Sequence, residues 1–246
     1  MPIFYALTIG LLASLGINYL ADILPLRKIS APPCRYCGKP MPFINYITLS
    51  TCKSCHTPRG WREISTVLIG MCISALLWIF PPAKFGYLLS LFLIAYLGLI
   101  IIIDIEHHLI MHIVTITGAF IGLGAGTMKH GLLSTVLGGV VGFVFMFIFY
   151  YFGILFAKWQ AKKQGRESTD EEALGFGDVT LSGVLGLLMG VSNVMFGIVS
   201  GIILAGVFSI LFLAILFLSK RFKSGSMYIP YGPFLILGSI LYIFFR

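Results

Sequence analysis

The apolar residues of this chain fall into long unbroken runs. A run of about 20 apolar residues matches the hydrocarbon thickness of a bilayer, not the depth of a soluble core. Eight such runs are readable, at about 3–24, 64–80, 85–104, 109–127, 132–157, 174–190, 193–218 and 228–245. Of the 246 residues, 58% are hydrophobic and only 11% charged, too few to cover a water-soluble surface. The fold class expected is therefore an all-α polytopic membrane protein with about eight transmembrane helices. The first run lacks a basic leader region and reads as a retained span.

The basic residues set the orientation. Arg27, Lys28, Arg35, Lys39, Lys53, Arg59 and Arg62 follow the first run, Lys158, Lys162, Lys163 and Arg166 the fifth, and Lys220, Arg221 and Lys223 the seventh. These loops alternate along the chain, and only Lys84, Lys129 and Arg246 fall on the other side. The positive-inside rule places the three basic loops in the cytoplasm and both termini outside. The net charge of +8 is thus a topology signal with some attraction to anionic lipid, and does not indicate nucleic-acid binding.

The acids are nine in number and fall at or near the same side. Three of them, Asp22, Asp104 and Asp178, lie at or within the ends of apolar runs. Asp104 directly follows LGLIIII, and Asp178 lies in LGFGDVTLSG at the start of the sixth run. A carboxylate at the edge of hydrocarbon is costly and needs a task or a partner. Three readings stand side by side. Asp104 and Asp178 face one another and share a proton, as two close carboxylates must, and so form an acid–base pair for hydrolysis. Alternatively each is a helix-terminal group, Asp178 favoured by the dipole of a first turn. In the third reading the protein is a cation or proton transporter, or a non-catalytic membrane protein, and the carboxylates bind ions. Matching halves with midplane breaks, which a transporter of that kind would show, are not seen.

Between the first two spans stand Cys34 and Cys37 in CRYC, and Cys52 and Cys55 in CKSC. Two Cys-x-x-Cys turns offer four thiolates to one tetrahedral zinc ion, a closed structural site without an open catalytic position. Two disulfides or four free thiols are the alternatives, the former disfavoured in a reducing cytoplasm. The domain organisation read from these features is a first helix at 1–24, a zinc-stapled cytoplasmic loop at 25–63, and a transmembrane core at 64–246. Cys72, within the second run, reads as a small packed residue.

IDIEHHLIMH, from Ile103 to His112, and GFGD, from Gly175 to Asp178, resemble the two motifs of the bacterial type IV prepilin peptidases. Two more segments agree in the same order. SLGINYLADILPLR, through Gly16 and Asn18, resembles the entry segment of that family, and IPYGPFLILG, from Ile229 to Gly238, resembles its C-terminal one. The resemblance implies a GxGD-type membrane aspartic protease of the inner membrane with Asp104 and Asp178 catalytic at the cytoplasmic face. Its substrates would be prepilins of type IV pili or pseudopilins of type II secretion. It also implies four zinc-binding cysteines and a second activity, N-methylation of the new N-terminus by S-adenosylmethionine. No Rossmann-type fingerprint marks a methyl-donor site, so methylation rests on resemblance alone. The sequence does not settle the oligomeric state.

Departures from that pattern are specific. The second acid of the first motif is replaced by His112, and a Lys two residues after the GFGD aspartate by Thr180. His107, His108 and His112 beside Asp104 raise the question of a catalytic metal, which requires one helix running through all of them. Glu106 and the Asp170, Glu171, Glu172 cluster are acids available to a basic leader, the cluster reading first as a solvated loop. FVFMFIFYYF (143–152) reads as lipid-facing bulk and interfacial anchors, and the small residues of GLGAG and LGGVVG as helix-packing faces.

Overall fold

The computed structural model describes residues 2–26, 32, 34, 37–41, 44–45, 48, 50–57, 60–163, 175–218 and 229–245. The Asp170, Glu171, Glu172 cluster and most of the basic loop residues lie outside the described residues. Eight apolar helices account for the eight runs: α1 (Pro2–Ile23), α2 (Trp61–Ile79), α3 (Gly86–His107), α4 (His112–His130), α5 (Leu132–Lys163), α6 (Phe176–Met189), α7 (Val194–Leu218) and α8 (Gly232–Phe244). No strand occurs among the described residues, and the protein is an all-α polytopic membrane protein.

Among the described residues five helices, α1, α2, α3, α5 and α7, are long and apolar enough to cross a membrane. The other three fall short for different reasons. α4 has the length, at 19 residues, but carries four glycines, three threonines and a lysine. At 1.5 Å per residue, the 14 residues of α6 and the 13 of α8 span only about 20 Å. α5 runs the other way, its 32 residues continuing past the apolar run through good helix formers in AKWQAKK.

The chain divides into two compact units, Met1–Ile103 and Asp104–Arg246. In the first, α1 packs along α2 where Gly10 lies on Ser74 and Gly70 lies on Ser14, so that small residues let the backbones close up. The Ser74 hydroxyl donates to the Ala6 carbonyl at 2.6 Å, a polar bond made inside the pair. Ala21, Leu99 and Ile103 bury together at the far end. Arg62 binds the Asp22 carboxylate at 2.8 Å. The Asn18 amide donates to the Glu63 carbonyl at 3.2 Å. Asp22, one of the three membrane-edge acids, thus has an ion-pair partner. Cys72 is exposed, not packed, on the outer face of α2.

The second unit is built around α6, which packs on α4, α5, α7 and α8. Its tightest neighbour is α5, where LGGVVG supplies the approach. A side chain on Gly138 would strike the Gly186 carbonyl oxygen at 2.5 Å, and one on Gly139 would strike Leu187. In GLGAG, Gly122 and Gly126 face α6 in the same way while Gly124 meets open space. α6 ends at Gly190, whose φ of +71° lets the chain reverse into α7 within a few residues. Because other helices surround it, α6 can be both short and glycine-rich: its backbone is satisfied within the helix and its sides are covered by protein.

Candidate active site

Asp104 lies in the last turn of α3, and Asp178 is the third residue of α6. Both are buried, 5% and 8% exposed, although both belong to apolar helices with few other polar groups. α3 stops at His107. His108 then takes φ +50°, in the left-handed region that ends helices and that histidine enters more readily than most residues. The next helix begins only at His112, with Met111 extended at its N-cap. The break settles the histidine question. Asp104, His108 and His112 do not share a helix face, and His107, His108 and His112 are exposed. Among the described residues, the only group of three or more metal-binding side chains close enough to share an ion is the cysteine cluster.

The break also delivers Ile110. This side chain, 8% exposed, is seated between two glycines. A Cβ on Gly177 would lie 2.7 Å from the Ile110 Cβ, and one on Gly232 would lie 3.4 Å from its Cδ1. Gly177 precedes Asp178. Gly232 opens α8, and its backbone N–H donates to Asp104 Oδ2 at 3.1 Å. Three chain segments distant in sequence therefore meet around one isoleucine, and two of them carry or adjoin the buried Asp104 and Asp178 carboxylates. Sequence reasoning named both acids but missed Ile110 and gave Gly232 no role; the signal present was the IPYGP segment, with no partner readable for it.

GFGD adopts the form its residues favour. Gly175 is the extended N-cap and the Asp178 N–H donates to its carbonyl at 3.0 Å. The carboxylate turns back over Gly175, Oδ2 standing 3.7 Å from where a Cβ would be. Asp178 is thus a first-turn acid, favoured by the dipole, as well as a neighbour of Asp104. Phe176 is clasped by Phe143 and Tyr150 of α5, with ring centroids 6.4 and 5.7 Å away in edge-to-face contact. Part of FVFMFIFYYF therefore steadies the head of α6, while Phe147, Phe149 and Phe152 face outward.

Thr180 lies on the opposite side of α6. Two residues make about 200° of helical turn, so its side chain points away from that of Asp178. Its hydroxyl donates to the Gly177 carbonyl at 2.9 Å, and it lines an apolar groove of about 420 Å³ together with Thr115, Ile116, Val136, Phe143 and Leu187.

In the first unit the four cysteines converge, all ligand atoms within 4.8 Å of one another. Cys34 and Cys55 sulfurs are 3.6 Å apart, and those of Cys37 and Cys52 are 3.7 Å apart. A disulfide needs about 2.05 Å. Four sulfurs about 2.3 Å from a tetrahedral zinc lie about 3.8 Å from each other, so the spacing suits a metal and not two bridges. The two turns match in backbone as well. Gly38 N–H bonds the Cys34 carbonyl at 2.9 Å and His56 N–H the Cys52 carbonyl at 2.8 Å. Gly38 and His56, each next after a second cysteine, both have positive φ. Hydrogen bonds with the Thr57 hydroxyl and backbone hold the Cys55 thiol below its ordinary range, while the Cys37 thiol beside the other sulfurs is pushed up to about 11. Tyr19 of α1 packs on this cluster.

The chain matches the type IV leader peptidase family over residues 91–245, more than half its length. The matched region takes in Asp104, Asp178 and the Ile229–Pro233 turn, and leaves out the four cysteines. No curated protein and no solved structure gives a match.

Proposed function

The chain belongs to the type IV leader peptidase family, and from that premise we propose that it is an aspartic endopeptidase of the bacterial inner membrane. It removes the leader from type IV prepilins or pseudopilins, with Asp104 and Asp178 as the acid–base pair. The observation that carries this reading is the burial of two carboxylates from separate helices, brought to either side of Ile110 through Gly177 and Gly232. One carboxylate takes a proton from water, and the hydroxide formed attacks the scissile carbonyl carbon. The other, protonated, hydrogen-bonds the carbonyl oxygen and then passes its proton to the amine as the C–N bond breaks. The first acid then passes the proton it took from water to the second, which restores the pair with its one shared proton.

The site faces the cytoplasm in this reading, because the basic loops lie beyond the ends of α1, α5 and α7. A basic leader with an apolar helix behind it then presents its cleavage point at the membrane edge. Glu106, half-buried beside Asp104 in sequence, is the described acid on that approach. The 25–63 loop is a zinc-stapled module and 64–246 the peptidase core. The cysteine spacing supports structural zinc held by Cys34, Cys37, Cys52 and Cys55, which ties two distant turns into one fold. Methylation of the new N-terminus by S-adenosylmethionine is the accompanying activity, supported by the likeness of this module to the one associated with it in prepilin peptidases.

The test is direct. Asp104→Asn and Asp178→Asn should each be inserted and folded in detergent, and each should fail to cut a prepilin. Either variant cutting at a rate near that of the unaltered protein ends the dyad reading.

A further inference from the structure

The Ile229–Pro233 turn has no part in the chemistry just described, yet its backbone touches the reacting group. We propose that Gly232 is the positioning residue for Asp104, a proposal that rests on the dyad reading above. Two features of the same residue act together. Its N–H, the first of α8, has no carbonyl to meet within its own helix and donates instead to Asp104 Oδ2 at 3.1 Å. Its missing side chain is the space the carboxylate occupies: a Cβ there would lie 2.5 Å from Oδ2 and 3.2 Å from Cγ. One carboxylate oxygen is thereby fixed to the backbone of a helix, and Oδ1 is left for water and the partner acid. Ile110, wedged between Gly232 and Gly177, holds the heads of α8 and α6 at a set spacing, so the turn fixes Asp104 relative to Asp178. Pro230 and Pro233 flank the donor and stiffen the turn that presents it.

Gly232→Ala tests this. Oδ2 is the far end of a side chain, so the clash is relieved by rotating the carboxylate and not by moving a helix. A misplacement of about 1 Å costs about 10²-fold in rate. Purified Gly232→Ala, assayed on a prepilin, should therefore lose about 10²-fold in kcat with KM little changed, because the substitution misplaces the reacting carboxylate alone. A glycine with only a packing role would lower stability and leave the kcat of the folded fraction intact, and that result overturns the proposal. Should Gly232→Ala fail to fold, the same change is made in the Asp104→Ala background, where the obstructing carboxylate is gone. Folding must then return to that of Asp104→Ala alone; persistent misfolding also overturns the proposal. The dyad reading stands or falls separately, on Asp104→Asn. An inactive Asp104→Asn with a fully active Gly232→Ala removes the positioning role and leaves the dyad.

Discussion

Ile110 illustrates how a single apolar residue acquires a role from what it touches. In the sequence it is one more isoleucine in HHLIMH; in the fold it is the spacer between two glycines that adjoin two carboxylates. Gly177→Ala places a methyl 2.7 Å from the Ile110 Cβ. Overpacking of this kind costs about 1–3 kcal/mol. The variant should lose that much stability in denaturant titration and cleave more slowly. Ile110→Ala alone opens a cavity, at about 2–5 kcal/mol. The double variant should lose less than the sum, by about 0.5–3 kcal/mol, because the new methyl sits in the vacated space. Strict additivity would show that the two residues do not share a contact. Thr180 is the opposite case. Its replacement of a lysine looked like a change beside the dyad, but the helical turn carries it to the other face of α6. Thr180→Val gives up the hydroxyl's bond to the Gly177 carbonyl, worth about 0.5–1.5 kcal/mol of stability, and should leave kcat nearly unchanged.

At the level of elements, helix ends decide much of the structure. Lys129, in the last turn of α4, is 9% exposed and its ammonium donates to the carbonyls of Tyr242 at 2.9 Å and Ile243 at 2.5 Å. Those carbonyls lie in the last turn of α8, where a cation also meets the negative end of the dipole. A lysine that looked like one of three stray charges on the sparsely basic side is thus a cap supplied by a neighbouring helix. Lys129→Met should cost about 1.5–3 kcal/mol, the usual worth of a charge-assisted hydrogen bond, read as a lower denaturant midpoint. The cysteine turns make the second element-scale prediction. Purified protein should hold about one zinc per chain, released by chelation, and Cys34→Ser or Cys52→Ser should lose it. Protein free of zinc after purification without chelator would refute the site.

For the whole molecule the decisive quantity is the distribution of charge over the loops. Lys84, in the turn before α3, and Lys162, in the last turn of α5, are both exposed and are assigned to opposite faces. In intact cells, Lys84→Cys should react with a membrane-impermeant maleimide added outside, and Lys162→Cys only after permeabilisation. The reverse pattern would invert the topology and move the dyad to the outer face. The eight apolar runs became eight helices with ends shifted by a few residues, yet α6 and α8 are too short to cross on their own. Run length overstates these two because it counts residues that lie outside the helix, as at 175 and 229–231.

Legibility followed the range of the interaction responsible. Hydropathy, basic loops and paired Cys-x-x-Cys turns are local properties, since each residue contributes its transfer cost or its ligand regardless of distant partners. The helical membrane class, the order of the helices, the standing of Asp104 and Asp178 at the ends of apolar runs and the four thiols were therefore determined by the sequence itself. Which acid needed a structural partner was not local. Asp22 and Asp104 look alike at the ends of their runs, but one meets Arg62 and the other the amide of Gly232. The break after His107 was equally open in sequence, because HHLI satisfies a helix or a turn. Only the tertiary structure decided these points, because burial and hydrogen bonding depend on which faces of distant helices meet. That meeting is set by the glycines that let α4, α5, α6 and α8 approach, and a glycine in a sequence does not say what will fill the space beside it.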